Sequence, residues 1–106
     1  MLVDERPARG GADAGPMPFE YLLAGLGACT SITLRMYAKR KGWDIGTVSV
    51  SVALRRGDDG DRVERRVSFS ASLTAEQQAR LLEISEKTPV TLAVKSGLPI
   101  QTMLQA

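Results

Sequence analysis

The feature that most constrains the fold is one long helical pattern, Gly15 to Trp43, with the chain's single cysteine, Cys29, inside it. Apolar residues recur at Leu22, Leu26, Cys29, then Ile32 or Thr33, then Met36, a spacing that predicts an amphipathic helix and not a strand. Pro18 suits the first turn, because the N–H that proline lacks would be unsatisfied there anyway. Gly42 suits the stop, after Lys39, Arg40 and Lys41 at the end where the helix dipole favours cations. Gly25 and Gly27 each cost about 1 kcal/mol against alanine in a helix interior. They stand in a run rich in small residues, Ala24 to Ser31, which leaves room for another backbone to come close. That neighbour is either the chain's own core or a partner helix, such as a second copy across a two-fold axis.

With 106 residues the chain is long enough for one domain with a modest core. Its net charge is only +2 and cations are mixed with anions, so the basic footprint of a nucleic-acid binder is missing. Lys39-Arg40-Lys41 and Arg65-Arg66 read as solvated ends and faces. The apolar run from Tyr21 to Leu34 is too short to span a bilayer and is flanked by Glu20 and Arg35. No apolar targeting segment opens the chain, and one cysteine excludes an intramolecular disulfide, so a cytoplasmic location is expected. There is no histidine, which removes Ser-His-Asp and Cys-His nucleophiles and most transition-metal sites. No P-loop or dinucleotide-binding glycine motif is present, and no cofactor is expected. Activation of the thiol would have to come from arginine, lysine, hydrogen bonds or a helix terminus.

Residues 1–17 read as an irregular lead-in rich in proline and glycine, with Met1-Leu2-Val3 as a candidate strand tail. From Val48 the period changes to two: Val48, Val50, Val52 and Leu54 alternate with Ser49, Ser51, Ala53 and Arg55. After the turn formers Gly57 to Asp61, a second strand carries Val63, Val67, Phe69, Ala71 and Leu73 on one face. Glu64, Arg66 and three serines lie on its other face, and the short loop predicts an antiparallel hairpin. Thr74 with Gln77 forms a capping box for a second helix, whose apolar side is Leu81, Leu82 and Ile84. Pro89 ends it and starts a further short turn of helix, which Gly97 stops. Leu98 to Leu104 is expected to be a closing strand. The class is α+β, one long central helix covering a small antiparallel sheet.

Asp4-Glu5-x-Pro7 with Gly10-Gly11, then Gly15-Pro16-x-Pro18-x-Glu20-x-Leu22-Leu23, then Leu26-Gly27-Ala28-Cys29-Thr30, form a set of tracts that resembles the OsmC/Ohr family, the osmotically inducible and organic-hydroperoxide-resistance proteins. The likeness continues at Leu34 to Ala38, Lys41-Gly42-Trp43, Leu81 to Ile84, Lys87-x-Pro89-Val90 and Ile100-x-Thr102. The resemblance implies an OsmC-like intertwined homodimer with its cysteine helices near the interface, and reduction of organic hydroperoxides by a reactive thiol. Cys29 matches the position that attacks the peroxide and becomes a sulfenic acid. Glu20 lies in the segment that supplies a catalytic glutamate, one residue later after the proline than in the hydroperoxide-resistance members; otherwise it is a first-turn acid.

Two departures from the family stand out. Where the peroxidases carry a resolving cysteine, as Cys-Pro-Val-His, this chain has Thr88-Pro89-Val90-Thr91. The family's N-terminal strands, with an arginine facing the thiol, have no counterpart before Met1, so the single domain 1–106 is read as lacking them. Arg6, Arg9 and Arg35 are the candidate substitutes. Two functions follow as expectations. One is a thiol-dependent peroxidase in which Cys29, with Glu20, reduces an organic hydroperoxide and an external thiol restores it. The other is a non-catalytic protein that binds a small hydrophobic ligand in a dimer cleft lined by Leu22, Leu26, Cys29, Met36 and Tyr37.

Overall fold

The computed structural model describes residues 17–105. Helix α1 spans Pro18–Lys41, strands β1 and β2 span Val48–Arg55 and Arg62–Phe69, and helices α2 and α3 span Ala75–Ser85 and Pro89–Ser96. The expected tail Met1-Leu2-Val3 lies outside the described residues.

Local chemistry places the helix ends as expected. Pro18 occupies the first turn of α1, and the Glu20 carboxylate accepts from the Met17 N–H at 2.7 Å. Gly42 closes the helix in the left-handed conformation at φ 73°, its N–H donating to the Ala38 and Lys39 carbonyls. Thr74 and Gln77 form the capping box of α2. Thr88 caps α3 by accepting from the Thr91 N–H at 3.1 Å, and Pro89 follows in the first turn.

The hairpin pairs Val48 with Phe69, Val50 with Val67, Val52 with Arg65 and Leu54 with Val63, antiparallel. Residues directly opposite share a face, so one side of the sheet is apolar apart from Arg65. Helix α1 lies over the sheet at Gly27, where an added Cβ would come within 3.3 Å of Val52 Cγ2. The small-residue run therefore lets this chain's own β1 approach. Gly25, on another side of α1, meets nothing within 4 Å. At the entry to β1, Gly46 has φ 68°, and a side chain there would meet Ser70 Oγ at 2.1 Å.

The apolar core gathers Leu34, Tyr37 and Ala38 of α1 with Ile45 and Leu81, and Trp43, Val67, Phe69 and Ile84 pack around it. Tyr37 and Trp43 meet edge to face with ring centroids 5.7 Å apart, and Arg80 Nε donates to the Tyr37 hydroxyl at 2.9 Å.

Three expectations need correction. The buried stripe of α1 is Leu26, Thr30, Leu34, Tyr37 and Ala38, whereas Leu22, Ile32 and Met36 are exposed. The helix is turned because Gly27 seats β1 on the inner side and Thr30 can be buried there, its hydroxyl donating to the Leu26 carbonyl at 2.7 Å. On α2, Leu81 is buried but Leu82 is half exposed. Residues 98–104 form no strand: no described strand pairs with them, and a single strand leaves its backbone groups unbonded. Ile100, Met103 and Leu104 are 88, 83 and 100% exposed, an apolar tail with no cover from the described residues.

Candidate functional site

Cys29 lies at the boundary between the buried stripe of α1 and the exposed one, and is half-buried. A thiol so placed is reachable from outside while its inner side meets protein. On that inner side stand Thr33 of the same helix, the Thr88 hydroxyl and the Val90 backbone N–H. The last two belong to the cap and first turn of α3, so the positive end of a second helix approaches the sulfur. The mid-helix position of Cys29 denies it its own helix dipole, and α3 supplies another.

The cation is Arg65. Alternation along β2 puts it between Val63 and Val67 on the covered face, and its side chain is only 11% exposed. It is not the solvated residue that the Arg65-Arg66 pair suggests, although Arg66 is exposed. Arg65 Nη1 donates to Thr30 Oγ1 at 2.9 Å and to Thr91 Oγ1 at 2.8 Å. Nη2 donates to the Ser85 carbonyl at 3.0 Å and to Glu86 Oε1 at 3.3 Å. Thr91 Oγ1 also accepts from Thr88 Oγ1 at 2.6 Å, which ties the guanidinium to the threonine beside the thiol. Thr30, Ser85, Thr88 and Thr91 are all buried, and no buried side-chain nitrogen or oxygen among the described residues lacks a partner.

These groups decide the state of the thiol. Burial pushes the Cys29 thiol up, but the Val90 N–H, the Thr88 and Thr33 hydroxyls and the Arg65 charge outweigh it, and the thiol sits below its ordinary range. A lowered thiol next to a cation and a helix start is the pattern of a reactive cysteine, in contrast to an inert buried one. Burial alone would raise it.

Of the candidate arginines, Arg35 is exposed on α1, and Arg6 and Arg9 lie outside the described residues. Arg65 was legible in principle. Period two assigns it to the apolar face of β2, and a cation on an apolar face signals a buried partner. Glu20 sits nine residues before Cys29 on α1, about 13 Å along the axis at 1.5 Å per residue. It borders a different cleft, with Leu23, Val52 and Arg62, so one chain does not bring it to the thiol. Nor does one chain by itself bring the five residues expected at a dimer cleft together. Leu22 and Met36 face outward, Tyr37 belongs to the core, and Leu26 lines a separate cavity of about 390 Å³. That cavity has Val63, Val67 and Val94 as apolar walls and Arg65, Glu86 and Lys95 at its polar side. Among the described residues no group of three metal-binding side chains occurs, and no helix is long and apolar enough to cross a membrane.

Fold and site together define an α+β protein whose long helix presents a thiol to the start of a second helix and a buried arginine. The OsmC-like protein family model matches residues 10–103, and the chain belongs to this family. Its fold is similar to that of an osmotic stress induced and detoxification response protein of Psychrobacter arcticus, with TM-score 0.73 and 21% identity over 92% of this chain and 71% of that one. An organic hydroperoxide resistance protein OsmC of Legionella pneumophila has TM-score 0.67 and 21% identity, covering 87% and 71% of the two chains. The organic hydroperoxide resistance protein OhrB of Bacillus subtilis has TM-score 0.58 and 23% identity, covering 85% and 69%. No protein with a curated description matches the chain.

Proposed function

We propose that this chain is a thiol-based redox protein that reduces organic hydroperoxides through Cys29, with an external thiol as reductant. The observation that carries the reading is the setting of the thiol: Val90 N–H, Thr88, Thr33 and Arg65 together outweigh burial and favour the thiolate. The hydroperoxide-resistance names of the Legionella and Bacillus proteins point the same way.

In this reading the Cys29 thiolate attacks one peroxide oxygen and the O–O bond breaks. One oxygen stays on sulfur as sulfenic acid, and the other leaves as alkoxide and takes a proton to become the alcohol. Arg65, whose Nη donors are engaged by Thr30, Thr91, Ser85 and Glu86, acts as a stationary positive charge on the thiolate. The chain has no second cysteine, and Thr88 occupies the place beside the sulfur. The sulfenic acid therefore condenses with an external thiol, releasing water, and a second thiol displaces the resulting mixed disulfide to restore Cys29.

A second copy of the chain belongs to the reading. The exposed stripe Leu22, Ile32 and Met36, with the open Gly25 and the uncovered tail at Ile100, Met103 and Leu104, is what a homodimer interface would bury. A monomer in sedimentation at micromolar concentration would contradict that part.

The test is a single-turnover titration of reduced protein with an organic hydroperoxide, followed by intact mass and sulfenic-acid trapping. Gain of one oxygen at Cys29, faster than for a free thiol, is expected, with no hydroperoxide consumption by Cys29→Ser. Equal consumption by that variant would sink the enzyme reading and leave a ligand-binding member of the fold.

A further inference from the structure

The Arg65 guanidinium connects two environments. Toward the thiol, Nη1 donates to Thr91 Oγ1 at 2.8 Å, and Thr91 Oγ1 accepts from the hydroxyl of Thr88, the residue beside Cys29. Toward the surface, Nη2 donates to Glu86 Oε1 at 3.3 Å, and the other oxygen of Glu86 is bonded to Lys95 Nζ. The side chains of Glu86 and Lys95 are 53% and 56% exposed, against 11% for Arg65. An outer ion pair is thus wired to an inner cation.

We propose that Glu86 and Lys95 are positioning residues that set how much of the Arg65 charge reaches Cys29. The proposal rests on the reading of Cys29 as a reactive thiol. Glu86 is not needed to hold the guanidinium, because Thr30 Oγ1, Thr91 Oγ1 and the Ser85 carbonyl already fix it. What the carboxylate contributes is negative charge on the far side of Arg65, offsetting part of its pull on the thiolate. Lys95 limits that offset by neutralising Glu86 from outside. Each partner therefore acts on the thiol with its own sign, and neither touches it.

The remaining charged groups on the elements around the site are engaged elsewhere or turned away. On the hairpin, Glu64 is paired with Arg55 and Arg62, and Arg66 is exposed. On α2, Glu83 is paired with Arg80 and Lys87. On α1, Arg35 is exposed.

The experiment is the pH–rate profile of Cys29 alkylation by iodoacetamide in the wild type, Glu86→Gln, Lys95→Gln and the double variant. Glutamine at position 86 keeps an oxygen for Arg65 and removes only the charge. Its profile is expected to move to lower pH by about half a unit, a roughly three-fold gain in thiolate below the midpoint. Lys95→Gln should move the profile to higher pH by a similar step, and the double variant should fall between the two. In about 1 M salt, where the Debye length is about 3 Å, the differences should shrink.

Shifts of the same sign in the two single variants, or none in either, would overturn the proposal. A residue that merely packed or held Arg65 would raise the midpoint in Glu86→Gln, the reverse of the expected sign. Alkylation needs no peroxide, so the two readings separate. A wild type that ignores hydroperoxides while the variants shift in opposite directions defeats the functional reading alone. A wild type that consumes hydroperoxide while the variants stay unshifted defeats this one alone.

Discussion

The two halves of the buried stripe on α1 differ in kind. The C-terminal half, Leu34, Tyr37 and Ala38, enters an apolar cluster with Ile45 and Leu81. The half next to Cys29, Leu26 and Thr30, faces Arg65, Ser85, Thr88 and Thr91. In the C-terminal half the contacts are non-directional apart from the Arg80–Tyr37 hydrogen bond, so burial itself stabilises. In the second each donor must meet its acceptor, because an unpaired group in low dielectric is costly. One helix thus separates its apolar anchor from its polar, thiol-bearing stretch by little more than a turn. The apolar half anchors α1 so that the polar half can hold a cation near a thiol.

Substitutions can break or sharpen that division. The largest effect on stability is expected at Leu34, which is fully buried. Leu34→Ala should cost about 2–5 kcal/mol in urea denaturation, with the pH–alkylation profile of Cys29 unmoved. If that profile moved as far as in an Arg65 variant, the two halves would not be separate. Arg65→Met should cost less, about 1–3 kcal/mol, by removing a charged donor from the Thr30 hydroxyl, the Thr91 hydroxyl and the Ser85 carbonyl, the last two of which keep a hydroxyl donor each. It should also raise the Cys29 midpoint, since burial then acts with less opposition. A stable variant with an unshifted thiol would make Arg65 a bystander.

The pH dependence of stability comes next in size. The folded thiol lies below its unfolded value, so ionised Cys29 favours the native state. That contribution is complete above the unfolded thiol's range and is lost as pH falls through the folded value. The stability of the wild type relative to Cys29→Ser should therefore grow as pH rises across this window. A difference that narrows with rising pH would mean that burial wins at Cys29. The smallest effect is expected at Glu20, where glutamine still accepts the Met17 N–H but loses the first-turn charge, worth about 0.3–1 kcal/mol. Unchanged hydroperoxide consumption in Glu20→Gln would leave the residue a cap. A large fall would give it a part in the reaction.

The elements were legible in the sequence wherever their cause was local. Pro18 and Gly42 bounded α1, Thr74 and Gln77 opened α2, and alternating valines marked β1, each through residues a few positions apart. The thiol was legible as a candidate because the chain has only one. The groups around it were not, because apart from Thr33 on the same helix they come from β2 and the start of α3. Arg65 was masked by Arg66 beside it, which does face solvent. The closing strand failed for a related reason: a segment can carry strand-like residues, but pairing needs a neighbour that only the assembled molecule supplies.

The sequence by itself determined where the helices start and stop, that two strands form a hairpin, and that Cys29 is the one thiol available. These depend on backbone hydrogen bonds and side-chain spacing within single elements. Only the tertiary structure decided which side of α1 is buried, which buried groups Arg65 meets, and that α3 starts beside the sulfur. Apolar residues at Leu22, Ile32 and Met36 were as good a stripe for burial as Leu26, Leu34 and Tyr37. The choice between them fell to Gly27 against Val52 and to the Arg65 guanidinium donating to the Thr30 hydroxyl, contacts that exist only once distant segments meet.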